Sequence, residues 1–299
     1  MKKKNSLSPD AVKIIKDSFE ANEVFLNTDS SIIFLCGKKI SPEILSAREL
    51  LLKYSQKHFS NYLFFLAEDF FDAYPLPSTK DLLSIEHYLS KYSDCIIIIL
   101  ESESAFAELG AFSIDDEIAK NLIVINDKKF KESDSFINLG PIKKVNRVSK
   151  FGEVINTNLE TITLSGHDLG QKLTKIQRKK RKRIKLSNPR EFKSFDGKEK
   201  MLLLLDLVNL FEPISYSELI ELLINFFGKG TYDIQFEIGL LSALKLIAKF
   251  DNYYVRNIRE LKYYYDFEKK DSRLIKSLNI NHIHKYNKVK YQHLLEKVK

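Results

Sequence analysis

Residues Cys95 to Leu100 (CIIIIL) are apolar without exception, and the middle four are β-branched isoleucines. A strand with one wet face alternates polar and apolar residues. This run does not, so protein must cover both of its faces. Similar runs occur at Ser31 to Cys36 (SIIFLC), Tyr62 to Leu66 (YLFFL) and Leu122 to Asn126 (LIVIN), and a weaker fifth strand is expected near Lys144 to Val148. Helical patterns lie between them. Ser8-Pro9-Asp10 opens a helix reaching about Glu20, and Ser41-Pro42 opens another reaching about His58. Two more are expected over Asp81 to Tyr92 and Ser104 to Lys120. Covered strands alternating with helices predict an α/β fold with a parallel sheet between helical layers. Ligands of such sheets sit beyond the carboxyl ends of the strands. That rule singles out Gly37 and Lys38, Glu68 and Asp69, and the segment Glu101 to Glu108.

The later half reads differently. From Leu159 to Ile184 the pattern is helical and increasingly basic, until Ser187-Asn188-Pro189 breaks it. Helices are expected over Lys200 to Phe211, from the capping-box spacing of Ser215 and Glu218 to Phe227, and over Thr231 to Lys249, with a strand at Tyr253 to Ile258. Three helices and a strand pair suit a winged-helix module or another small helical bundle. The expected division is residues 1–160, a basic helical linker over 161–190, and a small domain over 191–299.

Charge placement sharpens this outline. The net charge is +8, yet the first 170 residues are net acidic, and residues 171–190 hold ten lysines and arginines and no acid. Lys172, Lys175, Arg178, Lys179, Lys180, Arg181, Lys182, Arg183 and Lys185 would put cations on all sides of a helix, leaving no apolar stripe there to bury. A run of that kind contacts phosphates or is merely solvated. No apolar stretch follows the lysines after Met1, and none is long enough for a bilayer, so the chain reads as soluble and cytoplasmic. Cys36 and Cys95 sit in apolar runs without metal-ligand neighbours, as reduced core residues do.

The segment ESESAFAELG (Glu101 to Gly110) joins the best strand to a helix. Glu108 would fall near the helix start, where exposed amides and the dipole favour an ionised carboxylate, and Gly110 would let helix and sheet approach closely. Such an acid is either a nucleophile or an ordinary helix-start residue. Ser102 and Ser104 would touch phosphate or ribose, or simply cap the helix. Glu68 and Asp69 would bind ribose hydroxyls or lie in a solvated turn. His58 and His87 read as helix surface.

Five runs appear in order: FLCG (Phe34 to Gly37), AEDFFD (Ala67 to Asp72), LLSIE (Leu82 to Glu86), CIIIIL leading into ESESAFAELGAFS, and FINLGP (Phe136 to Pro141). Over residues 30–145 the chain resembles nucleoside deoxyribosyltransferase-like proteins, and more narrowly the toxin effectors encoded with bacterial retrons. The resemblance implies a Rossmann/flavodoxin-like sheet and a glutamate before a Leu-Gly pair, here Glu108, that attacks the anomeric carbon. It matches Glu86 to the family's acidic residue ahead of the catalytic strand, while the strand-end rule and the helix start add Gly37, Glu68, Asp69, Ser102 and Ser104 as expected substrate contacts. Where the deoxyribosyltransferases carry an Asp and a Gly-Thr pair, this chain has Ser102 and Ser104-Ala105.

The reaction would follow retaining glycoside hydrolysis, with Glu108 attacking the face opposite the leaving base. The family's association with NAD cleavage makes NAD, or a related nucleotide, the expected substrate, with no cofactor or metal. The implied partners are a retron reverse transcriptase and its branched single-stranded DNA, which would restrain the toxin, with a higher-order assembly among the expectations. The rival reading is a nucleotide-sensing DNA-binding regulator without catalysis.

Overall fold

The computed structural model describes residues 6–27, 30–43, 45–74, 81–177, 183–257, 262–267 and 271–298. In chain order the first elements are α1 (Pro9–Glu20), β1 (Phe25–Asn27), β2 (Ser31–Cys36), α2 (Ala47–His58), β3 (Tyr62–Phe65), α3 (Ala67–Ala73), α4 (Leu82–Tyr92) and β4 (Cys95–Ile99). Then come α5 (Glu103–Ile114), α6 (Asp116–Ala119), β5 (Leu122–Asp127), α7 (Lys143–Val148), β6 (Ile155–Thr157) and α8 (Gly166–Gln177). The remainder is β7 (Arg183–Lys185), α9 (Gly197–Phe211), β8 (Ile214–Ser215), α10 (Tyr216–Phe227), α11 (Gln235–Ala243), β9 (Ile247–Phe250), β10 (Tyr253–Arg256), β11 (Tyr265–Asp266), α12 (Ser272–Tyr286) and α13 (Lys288–Val298).

Two compact units result. One comprises Asp29–Phe71 and Pro75–Arg181, the other Met1–Thr28, Asp72–Tyr74 and Lys182–Lys299. The sequence boundaries at 160 and 190 differ from this division at both ends, because α1 packs on α10 and α12, while α8 belongs with the sheet before it.

The first unit holds a sheet in the order β3-β2-β4-β5-β6, parallel throughout. Numbered within the sheet this is 2-1-3-4-5, the flavodoxin-like order, whose switch point lies between β2 and β4. Alternation along β2 and β4 assigns the two faces. Ile33, Leu35, Ile97 and Ile99 pack with Leu51 of α2 and with Leu169, Leu173 and Ile176 of α8. On the other face Phe34 stacks on Phe65 at 4.9 Å and meets Phe112 of α5 at 6.4 Å. Burying such side chains stabilises the unit by roughly 1.5–3 kcal/mol each. Gly166 opens α8 against the ring of Tyr54, where an added Cβ would come within 2.4 Å.

Several local expectations give way. The fifth strand is Ile155–Thr157; the stretch placed near Lys144 is helix α7. Ser41-Pro42 does not start α2; Ser46 caps it, accepting from Glu49 N. The helix from Ser104 ends at Ile114, because Asp115 caps the separate α6. The third C-terminal helix ends at Ala243, and Lys245 at φ 56° turns the chain into β9. Of the basic run, Arg178, Lys179, Lys180, Arg181 and Lys182 lie outside the described residues, and α8 is Gly166–Gln177. Its described part does carry an apolar stripe, Leu169, Leu173 and Ile176, against the expectation of none. Arg183 is not helical but starts β7, paired antiparallel to β1 opposite Asn27.

In the second unit α9 is buried on every side from Met201 to Phe211. Asp206 sits in that helix, fully buried, and accepts from the backbone N–H groups of Tyr264 (2.9 Å) and Tyr265 (2.6 Å). Burial pushes its carboxyl well above the usual carboxylate range. Asp206→Ala should therefore lower stability by about 2 kcal/mol, since it strands two buried donors, whereas Asp206→Asn keeps an acceptor and should lose under about 1 kcal/mol. Equal melting temperatures for the two variants would contradict the anchoring role. The sheet β8-β10-β9 follows α9 and frames α10 and α11. The capping box of Ser215 and Glu218 is present as read, and Glu218 also takes the buried Lys290 ammonium of α13 at 2.6 Å.

Candidate active site

At the switch point β2 ends at Cys36, followed by Gly37, and β4 ends before Glu101. Glu101 is engaged by the backbone. Its Oε1 accepts from Lys38 N (3.1 Å) and Arg48 N (3.0 Å), and its Oε2 accepts from Ala47 N (2.8 Å), so it ties the loop after β2 to the start of α2. That closure explains Gly37, where a Cβ would sit 3.0 Å from Glu101 Oε1 and 3.3 Å from Arg48 Cβ.

Glu108 lies in the second turn of α5, on the stripe Ala105, Glu108, Leu109, Phe112 whose other members are buried. The helix-start amides are therefore not its neighbours, in contrast to the sequence expectation. Burial, followed by the charge of Glu86, raises its carboxyl to about 7, whereas a helix-start location would have lowered it. Cys36, on the same sheet face as Phe34, donates its thiol hydrogen bond to this carboxylate. Gly110 does not mediate a close approach; a Cβ there would meet open space.

Glu86 faces Glu108 from α4. Burial first, and Glu68 second, raise its carboxyl to about 7 as well. Two interacting acids with such values titrate as a pair, so near neutral pH the pair holds roughly one proton. The counter-charge is Arg48, which sequence reading missed. Its guanidinium side chain is 4% exposed and grips Glu68 with both ends, Nη1 to Oε2 at 3.2 Å and Nη2 to Oε1. Its Nε, and Oε2 of Glu108, are buried and make no hydrogen bond to the described residues. Arg48 shares a buried phase with Leu51 and Ser55 of α2, which was the available signal.

These groups enclose a cavity of about 230 Å³, lined among others by Gly37, Arg48, Glu68, Glu86, Ser104 and Glu108. Glu68 is in the first turn of α3 and engaged by Arg48, so it acts through that pair and not as a loop residue. Asp69 lines neither this cavity nor the larger one beside it. Ser102 caps α5, its Oγ accepting from Ala105 N, and lies 3.0 Å from the hydroxyl of Ser104. His58 stacks on Tyr54 and His87 lies 3.8 Å from Asp115, both away from the cavity. Among the described residues no cluster of three or more His, Cys, Asp or Glu is arranged to hold a metal.

Fold and site together define a flavodoxin-like α/β protein with a carboxylate cluster at the switch point of its sheet. The family model described as STM3845 retron effector protein matches residues 45–249, and the chain belongs to that family of retron effectors. Over 257 residues it is 31% identical to a retron Ec73 protein of Escherichia coli named ribosyltransferase/DNA-binding protein, covering 79% of this chain and 80% of that one. A retron Ec86 protein of the same organism, with the same kind of name, is 41% identical over 112 residues, 37% of this chain and 36% of the other. No described helix is long and apolar enough to cross a membrane.

Proposed function

We propose that this retron effector is an N-glycosidase that breaks the ribosyl–base bond of NAD or a related nucleotide. The observation that carries the proposal is Glu108: a carboxylate with an unpartnered oxygen, opening on a cavity it shares with a second acid of matched proton affinity. An Oε of Glu108 bonds to C1′ as the C1′–N bond breaks, and the bonding pair leaves with nicotinamide, which departs neutral. The resulting ester no longer carries charge beside Glu86, which can then ionise and take the proton of the water that releases the ribosyl group. The word ribosyltransferase in the relatives' names fits the same covalent intermediate, with another acceptor in place of water.

Incubating the protein with NAD and measuring free nicotinamide tests this reading. Because Glu108 must be ionised in the free enzyme, kcat/KM for NAD should rise through about pH 7 and then level off. A neutral leaving base also needs Glu86 protonated, so kcat/KM for a nucleoside should instead be bell-shaped around the same pH. Bound but intact NAD at every pH would favour the regulator reading.

The second unit supplies helix, short strand, two helices and a strand pair, an order that supports a winged-helix reading. The ten cations of residues 171–190 and the DNA-binding names of the relatives support a nucleic-acid partner. In this proposal that partner is the retron's reverse transcriptase with its branched single-stranded DNA, which holds the enzyme inactive in a larger assembly.

A further inference from the structure

A polar cavity of about 360 Å³ lies where the chain around Phe151 and Glu153 enters β6, the edge strand of the parallel sheet. It shares no lining residue with the cavity of Glu108. Its other wall is one face of α8, formed by Asp168, Gln171, Lys172 and Lys175 at helical spacing. Two like charges converge there. Lys172 Nζ donates to the carbonyls of Phe151 (3.0 Å) and Glu153 (2.5 Å), and Lys175 Nζ donates to the same Phe151 carbonyl (3.0 Å). Gly152, at φ 81°, makes the turn that brings both carbonyls to one ammonium. Two ammonium groups on one oxygen lie within about 6 Å of each other, where they repel. Burial first, and Lys175 second, hold the Lys172 ammonium below the usual lysine value, and Asp168 and Glu153 offset this only in part.

We infer that this cavity seats a single phosphate group between Lys172 and Lys175. Each ammonium carries three N–H groups, and the bonds to Phe151 and Glu153 engage only one of those on Lys175 and two of those on Lys172. The remaining N–H groups donate charge-assisted hydrogen bonds to the phosphate oxygens, and the anion relieves the repulsion between the two lysines. The carboxylates of Glu153 and Asp168 share the lining, so they repel a second phosphate and limit the seat to one. The phosphate is either a free anion or one link of a nucleic-acid backbone. Lys175 stands three residues before the run from Arg178 to Arg183, which favours the backbone. That source rests on the nucleic-acid partner proposed above; the seat itself is independent of the glycosidase reading.

Calorimetric titration of the full-length chain with inorganic phosphate, at an ionic strength held constant with chloride, tests the seat. Native protein should bind phosphate, and Lys175→Ala should weaken that binding about tenfold, the effect of losing one charged hydrogen bond. Because Lys172 keeps the Phe151 carbonyl, this variant should hold its melting temperature. Lys175→Arg, which retains a cation and its donors, should bind phosphate nearly as the native chain does. Phosphate that binds no better than chloride, or equally well to native and Lys175→Ala protein, overturns the seat. A single-stranded oligonucleotide then identifies the source. If the seat takes a backbone phosphate, the slope of log affinity against log salt should fall by about one in Lys175→Ala. An unchanged slope beside weakened phosphate binding assigns the seat to the free anion. An oligonucleotide that does not bind the native chain overturns the nucleic-acid reading and leaves the seat to stand or fall on phosphate.

Discussion

Glu108→Gln should abolish nicotinamide release, lowering turnover on the order of 10⁴-fold or more, because an amide cannot form the ester with C1′. The substitution is nearly isosteric and removes a half-buried charge, so loss of activity should come with a gain in stability. A carboxyl raised on folding binds its proton more tightly in the native state. Its contribution to stability is whole below the ordinary value of 4.5 and is lost as pH climbs through about 7. The glutamine has no such loss. Above pH 7 the variant should melt higher than the native chain, by about 2–4 °C for each kcal/mol regained. Near pH 4.5 the two should converge. Full nicotinamide release by the variant would remove Glu108 from the mechanism, and a variant less stable at every pH would show that the carboxylate is a structural group.

The second large effect is expected at Arg48. Arg48→Met strands the Glu68 carboxylate beside Glu86 and Glu108 and should destabilise the parallel-sheet unit by about 3 kcal/mol, as for other buried ion pairs broken from one side. Removing both charges in Arg48→Met/Glu68→Gln should restore most of that loss. Arg48 also holds both candidate acids down, so without it they rise further. The pH at which activity appears should shift upward in whatever fraction of Arg48→Met stays folded. A single variant as stable as the native chain would show that the pair contributes no net stability; an unmoved pH profile would separate Arg48 from the acids.

Much of the first unit could be read from the chain because its central strands are apolar on both faces. Ser31–Cys36, Cys95–Ile99 and Leu122–Asp127 have no other place to go. Edge elements lack that constraint. The three residues of β6 are too few to show a period, and KKVNRV reads equally as a polar strand or as the helix it forms. In the second unit the turn at Lys245 was hidden because apolar residues resume on both sides of it, at Leu244 and at Leu246-Ile247. The site was half legible. Glu108 and Glu86 could be named from motif order, and the structure brings them into one cavity. The environment of Glu108 could not be read, because its burial follows from a stripe on α5 meeting β2 from elsewhere in the chain. Arg48 was passed over for a related reason: an arginine in a helix reads as solvated until a partner from a distant helix accounts for its burial.

The first 28 residues share a compact body with the last hundred or so, while the parallel sheet is spelled out in between. During synthesis, then, the parallel-sheet unit has all of its strands before its companion has more than a single helix and one short strand. The companion must keep that opening segment waiting until the carboxyl-terminal helices emerge. Trimming at either terminus therefore damages the same body, and a shortened version meant to isolate the sheet would have to lose residues from both ends.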